Sequence, residues 1–316
     1  MDQNISKKKR YVSHTKLNTL QECEAKFRHY YIRKIEQRKR PVYFTFGEAA
    51  HKFLEIYYSS KGKKIEEATR EAIKIFQSVD RGLLTPEEIH TLEIEQSKVE
   101  GICQAYPKFY NKDFLEFETM MTELSYRKDK GILLTSTRDY DVYYEGDIDG
   151  LFQDAAGDWW IVEHKFLAPQ TITQSFLEKV HIDSQVLGYM WLAKERAIGE
   201  FPRGVIYNII KKPSIRLKKG ETREAFATRV REEYITHGQT KEYFIRHDPQ
   251  ISQAHLDTWW KEKAHLANYA YTRIGIRSGM WPKNTGACHN NYGSCQYLNA
   301  CVTGKYNRLI YTKREK

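Results

Sequence analysis

The sequence predicts an α/β fold, with α+β as the neighbouring alternative, and three observations carry that expectation. Residues 124–166 are dense in aromatic and β-branched residues broken by turn signals, which reads as a cluster of strands. Apolar residues at helical spacing lie on both sides of the cluster. A further helical pattern over 183–198 leads into a strand that ends at Ile210.

Each element has a local reason. Leu17, Leu20, Cys23, Phe27, Tyr30 and Tyr31 recur at helical spacing behind Thr15 as a cap, so the chain opens with an amphipathic helix. Gly47–Tyr58 forms another, on which His51 and Glu55 stand one turn apart on one face. Residues 64–78 and 86–118 also read as helical. Within the strand cluster, 142–152 and Trp159–Phe166 flank the turn Ala155–Asp158 and form a hairpin. Side chains alternate faces along a strand, so Trp159, Ile161, Glu163 and Lys165 share one face, and Trp160, Val162, His164 and Phe166 the other. The helix that follows buries Val186, Leu187, Met190 and Trp191 and sets Gln185 and Tyr189 together beside that stripe. A strand Gly204–Ile210 comes next, and the last long helix covers Ala254–Arg277, stopped by Gly279 and Pro282.

Composition limits the function classes. At 316 residues the chain can bury a full core, as one elaborated domain or two. A hydrophobic fraction of 41% with 13% aromatic residues excludes wholesale disorder. Lys plus Arg total 51 against 41 acidic residues, and the resulting net charge of +10 favours a polyanionic partner. The dense basic runs are Lys7–Arg10, Lys61–Lys64, Lys211–Lys212 and Arg216–Lys219. Most such runs are merely solvated. Lys211 and Lys212 are the candidates for DNA contact, because they close a strand expected in the same sheet as the acidic site. No apolar segment suits a signal peptide or a membrane span, so a cytoplasmic protein is expected.

The informative set is Asp149, then Glu163-His164-Lys165, then Gln185 and Tyr189. A carboxylate and an ammonium side by side at the end of an apolar strand are costly to bury unless they are paired or hold a metal. Asp149, on the neighbouring strand, is the natural second carboxylate. Such a set suits cleavage of a phosphodiester, in which attacking and leaving oxygens both carry charge beside an anionic phosphate and a divalent ion relieves the repulsion.

Gly146-x-Ile148-Asp149, Glu163-x-Lys165 and Gln185-x-x-x-Tyr189 in that order resemble the PD-(D/E)XK nuclease superfamily in its RecB-like exonuclease branch. Gly47–Glu55 resembles the same branch's His motif, and Tyr207–Pro213 is similar to phage-encoded relatives. The matching motifs run from residue 15 to about residue 305, so the resemblance implies a single domain over 1–316. Its parts would be a mainly helical 1–125, a catalytic sheet core 126–215 and a helical 216–316 with a cysteine loop. The implied fold is a restriction-endonuclease-like core, a central mixed sheet flanked by helices.

The resemblance also implies roles. Asp149 and Glu163 would hold one or two Mg2+ or Mn2+ ions with His51, whose imidazole favours Mn2+ more than an all-oxygen site would. Lys165 would orient the attacking water, and Gln185 and Tyr189 would position Lys165 and the DNA. Glu55 reads as a salt-bridge or surface residue. The pattern departs from many relatives at His164, whose side chain should face away from Glu163 and leave its backbone carbonyl towards the ion.

Of the five cysteines, Cys103 lies in an apolar helical setting and reads as core. Cys23 with Cys288-x6-Cys295-x5-Cys301 is similar to the set that holds a 4Fe-4S cluster in RecB-like members. Structural zinc is the alternative, although the short Cys-x2-Cys pairs common in zinc sites are absent. The expected function is a metal-dependent DNA exonuclease in recombination, repair or phage DNA processing, with a helicase or recombination protein as partner. Two other readings stand beside it: a DNA-binding partner with a vestigial site, and a restriction-type endonuclease.

Overall fold

The computed structural model describes residues 7–39, 41–275, 279–290 and 293–314. They form two compact units, residues 41–125 with 147–251, and residues 1–40 with 126–146 and 252–316.

The first unit is built on a five-stranded sheet. Its strands are β1 (Phe117–Tyr126), β2 (Gly146–Asp154), β3 (Trp159–Leu167), β4 (Gly204–Lys211) and β5 (Phe244–His247), and they neighbour one another in that order. β2 and β3 form the expected antiparallel hairpin, with Gly150 opposite Val162 and Leu151 opposite Ile161. β3 and β4 run parallel, with Glu163 opposite Tyr207, and β4 and β5 antiparallel. A parallel pair needs a crossover, and the helix α4 (Ser184–Ala193) lies in it. This is the mixed α/β architecture expected of a restriction-endonuclease-like core, a central mixed sheet flanked by helices.

Packing fixes which face each helix offers to the site. α1 (Val42–Ser59) buries Phe46, Ala49, Ala50, Phe53, Leu54, Tyr57 and Tyr58, a stripe at i, i+3, i+4, i+7 and i+8. His51, Lys52 and Glu55 are left at the edge of that stripe, half-buried. α2 (Ile65–Gln77) adds Ala68, Ala72 and Phe76 to the same core. α3 (Pro86–Ala105) starts on a capping box in which Thr85 Oγ1 accepts from Glu88 N–H and Glu88 returns the bond to Thr85 N–H. α5 (Arg223–His237) packs on α3 so closely at Gly101 that an added Cβ would lie 2.6 Å from the Ala227 carbonyl and 2.7 Å from Val230.

The second unit has a three-stranded sheet, in which Lys8–Val12 pairs parallel with Tyr140–Tyr144, and that strand antiparallel with Ile132–Ser136. Its long helix spans Gln253–Gly275; the expected end at Arg277 lies outside the described residues. Tyr311–Lys313 pairs with Ile35–Gln37. Among the described residues, no helix is long and apolar enough to cross a membrane.

Several boundaries differ from the sequence expectation. The strand expected over 142–152 is two strands, because the chain changes partners at Glu145–Gly146: Tyr140–Tyr144 belongs to the second unit's sheet and β2 to the first. The helix expected over 86–118 ends at Ala105, and short turns starting at Pro107 and Asp113 lead into β1 at Phe117. α1 starts at Val42, directly after Pro41, rather than at Gly47. The N-terminal helix is capped by Ser13, whose hydroxyl accepts from Lys16 N–H, not by Thr15. That helix stops at Glu22, because Cys23 is extended at φ −164°.

Gly101→Ala is expected to destabilise the protein by about 1–2 kcal/mol. With contacts of 2.6 and 2.7 Å to be relieved, overpacking against α5 falls at roughly 2–3 kcal/mol and outweighs about 1 kcal/mol of improved helix propensity. Urea unfolding measures this, and a variant as stable as wild type would contradict the close helix contact.

Candidate active site

Three elements of the first unit carry the site. The hairpin register that sets Gly150 against Val162 makes Asp149 and Glu163 the next opposed pair, so both carboxylates lie on one face of the sheet. Asp149 Oδ2 accepts the His164 backbone N–H at 3.0 Å. From α1, His51 Nδ1 approaches Asp149 Oδ2 at 3.4 Å. From α4, Gln185 Oε1 accepts from Lys165 Nζ at 3.0 Å, while Gln185 Nε2 donates to Tyr189 Oη at 2.9 Å. Lys165 Nζ also donates to Glu163 Oε1. All six residues line one cleft of about 620 Å3.

Gln185 is held in place from behind. Asp183 caps α4 by accepting Gln185 N–H at 2.9 Å, and its other oxygen accepts from Tyr207 Oη at 2.9 Å. Tyr207 stands opposite Glu163 in the parallel ladder, so the strand next to the one that carries the acid fixes the helix that carries the amide. His164 faces away from Glu163, as the alternation requires. It is 3% exposed, stacks on Tyr58 with ring centroids 5.7 Å apart, and bonds Asn208 Nδ2 through Nδ1 at 2.9 Å. Asn208 donates to Tyr106 Oη, Tyr58 donates to Asp113, and Asp113 pairs with Arg246. Burial holds the His164 ring neutral, well below the usual imidazole range.

The electrostatics follow from this crowding. Burial pushes Asp149 up to about 7, against the His164 N–H that favours its charged form, and Glu123 adds to the rise. Burial also pushes Glu163 up to about 7, with the Asp149 charge raising it further and Lys165 opposing. For Lys165 burial works downward, but Glu163 outweighs it and the ammonium is favoured. Burial keeps His51 below its usual range despite Glu163 and Glu123, which leaves a neutral imidazole with a lone pair to offer.

One residue escaped the sequence reading. Glu123, on β1, brings its carboxylate to His51 and Asp149, so that one ligand atom from each lies within 4.8 Å of the others. It sits at φ +49°, a left-handed conformation inside a strand that a side chain adopts only when its surroundings hold it there. In sequence it falls at the junction between the helix expected to 118 and the strands expected from 124, where no motif marks it; only the sheet order sets its strand next to that of Asp149. Asp147 also lines the cleft and accepts from Ser125 Oγ at 2.8 Å.

These donors fit a hard divalent cation. An imidazole nitrogen and two carboxylates converge, and Glu163 Oε2 is buried with no hydrogen-bond partner beside them. Glu55 pairs with Lys52 at 2.7 Å.

The remaining candidates lie elsewhere. Lys211 Nζ donates to the Lys241 carbonyl at 3.3 Å and pairs with Glu242, while Lys212 Nζ stands 3.8 Å over the Phe46 ring. The four cysteines named for a cluster belong to the second unit and are all free thiols. Asn284 N–H donates to Cys23 Sγ at 3.5 Å, Cys288 Sγ donates to the Asn284 carbonyl at 3.7 Å, and Cys301 Sγ lies 3.4 Å from His29 Nε2. Their sulfurs do not join the tight ligand group of His51, Glu123 and Asp149 among the described residues. Cys103 is buried in the core of the first unit.

A family model described as the PD-(D/E)XK nuclease superfamily matches residues 11–302. No curated protein matches the chain.

In metal-free protein, Asp149 and Glu163 take up protons near pH 7 when folded and near pH 4 when unfolded. The folded state therefore binds more protons between those values. The stability this confers is complete below about pH 4 and is lost as the pH rises through 7. At pH 8 in EDTA, Asp149→Asn is expected to exceed wild type in stability by about 1–3 kcal/mol, a difference that closes near pH 4. Urea unfolding at both pH values reads it, and a variant less stable than wild type at pH 8 would refute the buried-carboxylate account.

Proposed function

We propose, for a chain that belongs to the PD-(D/E)XK nuclease superfamily, that it is a divalent-metal-dependent deoxyribonuclease of the RecB-like branch that digests DNA from ends. The observation that carries the reading is the meeting of His51, Glu123 and Asp149 beside a buried Glu163 paired to Lys165. His51, Glu123, Asp149 and the free Glu163 oxygen would hold Mg2+ or Mn2+, and the imidazole favours Mn2+. A cation bound there supplies neutralisation of phosphate charge and polarisation of water.

The chain's own groups do the rest. Lys165, fixed between Glu163 and Gln185, presents an ammonium that donates to the attacking water and to the phosphate oxygens as charge builds on them. Water oxygen bonds to phosphorus and gives up a proton to solvent, the phosphorus–ester oxygen bond breaks, and the released oxygen takes a proton from solvent. Gln185 holds Lys165 by accepting from it and donates to Tyr189, whose hydroxyl in turn offers a neutral donor to phosphate, so neither adds charge to a crowded cleft. The work of such an enzyme is recombination, repair or phage DNA processing, with a helicase or recombination protein as partner.

Cys23, Cys288, Cys295 and Cys301 are assigned to a structural 4Fe-4S cluster, with zinc as the competing occupant. Support comes from local geometry: Asn284 bonds both the Cys23 and the Cys288 sulfur, and Cys295 N–H donates to the Cys288 carbonyl at 2.8 Å. Protein purified without oxygen is expected to be brown and to contain iron and acid-labile sulfide. Colourless protein with one zinc would reject the cluster.

Lys165→Ala is expected to lower cleavage of linear DNA with Mn2+ by roughly 10²–10³-fold, the loss typical of one transition-state donor, while circular dichroism stays unchanged. Wild-type protein should degrade linear DNA and spare covalently closed circles. Cutting of circles at equal rate would replace the exonuclease reading with an endonuclease one, and a Lys165→Ala variant as active as wild type would defeat the mechanism.

A further inference from the structure

The run Arg216–Lys219, which in sequence looks merely solvated, lines a groove of about 910 Å3 in the first unit, together with Ile94, Lys98, Pro169 and Lys212. We propose that this groove binds the phosphate backbone of single-stranded DNA next to the active-site cleft. The proposal rests on the nuclease reading above and adds the path of the substrate.

Continuity with the cleft is structural. Leu167, at the end of β3, lines the cleft, and the next three residues, Ala168, Pro169 and Gln170, line the groove. Lys212 N–H donates to the Leu167 carbonyl at 2.8 Å, so the groove's basic segment is bonded to the cleft's rim.

The groove is also charged for its ligand. Its two carboxylates are spoken for: Glu95 pairs with Lys98 at 2.6 Å, and Glu221 with Arg229 at 2.7 Å. Lys212, Arg216, Lys218 and Lys219 have no ion-pair partner among the described residues. The cleft beside them carries Glu48, Glu55, Glu123, Asp147, Asp149 and Glu163, which repel a polyanion unless cations draw it in.

Shape argues for a single strand. From Ser214 to Lys218 exposure alternates, with Ser214, Arg216 and Lys218 outward and Ile215 and Leu217 half-buried against the core. That is the alternation of an extended chain, which sets Arg216 and Lys218 about 6.6 Å apart along one face, comparable to successive phosphates on a strand. The Arg216 carbonyl accepts from Arg229 Nη2 at 2.8 Å, which pins the segment in place. Ile94 and the exposed parts of Ile215 and Leu217 add apolar lining to the groove, which suits the unpaired bases of a single strand.

The test compares wild type with Arg216→Ala/Lys218→Ala/Lys219→Ala. Fluorescence anisotropy measures Kd for labelled oligothymidylate in EDTA over a salt series, and hydrolysis of thymidine 5′-(p-nitrophenyl phosphate) with Mn2+ reads the cleft alone. The variant should bind the oligonucleotide about tenfold or more weakly, with a log Kd against log salt slope smaller by about 2, at ~0.7 per phosphate contact. Its hydrolysis of the small diester should equal wild type's. An unchanged slope overturns the groove, and an equal loss of slope on a blunt duplex overturns the single-strand assignment. Wild type that binds with the full slope but cuts nothing refutes the nuclease reading while supporting the groove.

Discussion

Two carboxylates on adjacent strands, Glu163 buried and Asp149 half-buried beside it, are the constraint on which this structure turns. Asp149 and Glu163 face the same side of the sheet, and burial alone pushes each towards its neutral form. Their charged forms cost several kcal/mol each unless cations answer them. Lys165 answers one oxygen of Glu163; the other is left buried and unpartnered. Beside these acids, ligand atoms of His51, Glu123 and Asp149 converge in a group that could hold a metal ion. A slip of one residue between the two strands would turn one acid to the face opposite the other, so register carries the chemistry.

The surrounding structure keeps that arrangement from relaxing. In front, Tyr207, Asp183, Gln185 and Lys165 form a hydrogen-bonded series that ties β4, α4 and β3 together. Behind, His164, Asn208, Tyr106, Tyr58, Asp113 and Arg246 make a buried polar network that supports the strand whose N–H meets Asp149. The two networks lie on opposite faces of one strand, which the alternation of Glu163, His164 and Lys165 makes possible. Glu123 completes the picture at the cost of a left-handed backbone inside β1.

Much of this was legible in sequence because it depends on local periodicity. The hairpin, the opposed faces of Glu163 and His164, and the four-residue spacing of Gln185 and Tyr189 follow from periods of two and 3.6. What was illegible depends on distant partners. Nothing near Gly146 announces that the chain leaves a strand paired with Lys8–Val12 and enters one paired with Trp159–Leu167. Glu123 reaches His51 through an unusual φ that no propensity predicts. The run Arg216–Lys219 looks like any solvated charge until Arg229 is seen to neutralise Glu221 and leave the lysines and arginine open. Ser13 outcompetes Thr15 as a cap because an extended backbone precedes the helix there, a property of the whole turn rather than of residue type.

The central claim is that the cleft's acids and His51 hold a divalent ion, and crystals soaked in Mn2+ at pH 8 test it most directly. Anomalous diffraction should place a manganese peak within coordination distance of His51, Glu123 and Asp149, with the free oxygen of Glu163 turned towards it. Absence of that peak from a fully occupied soak, or a peak only at other residues, would contradict the account.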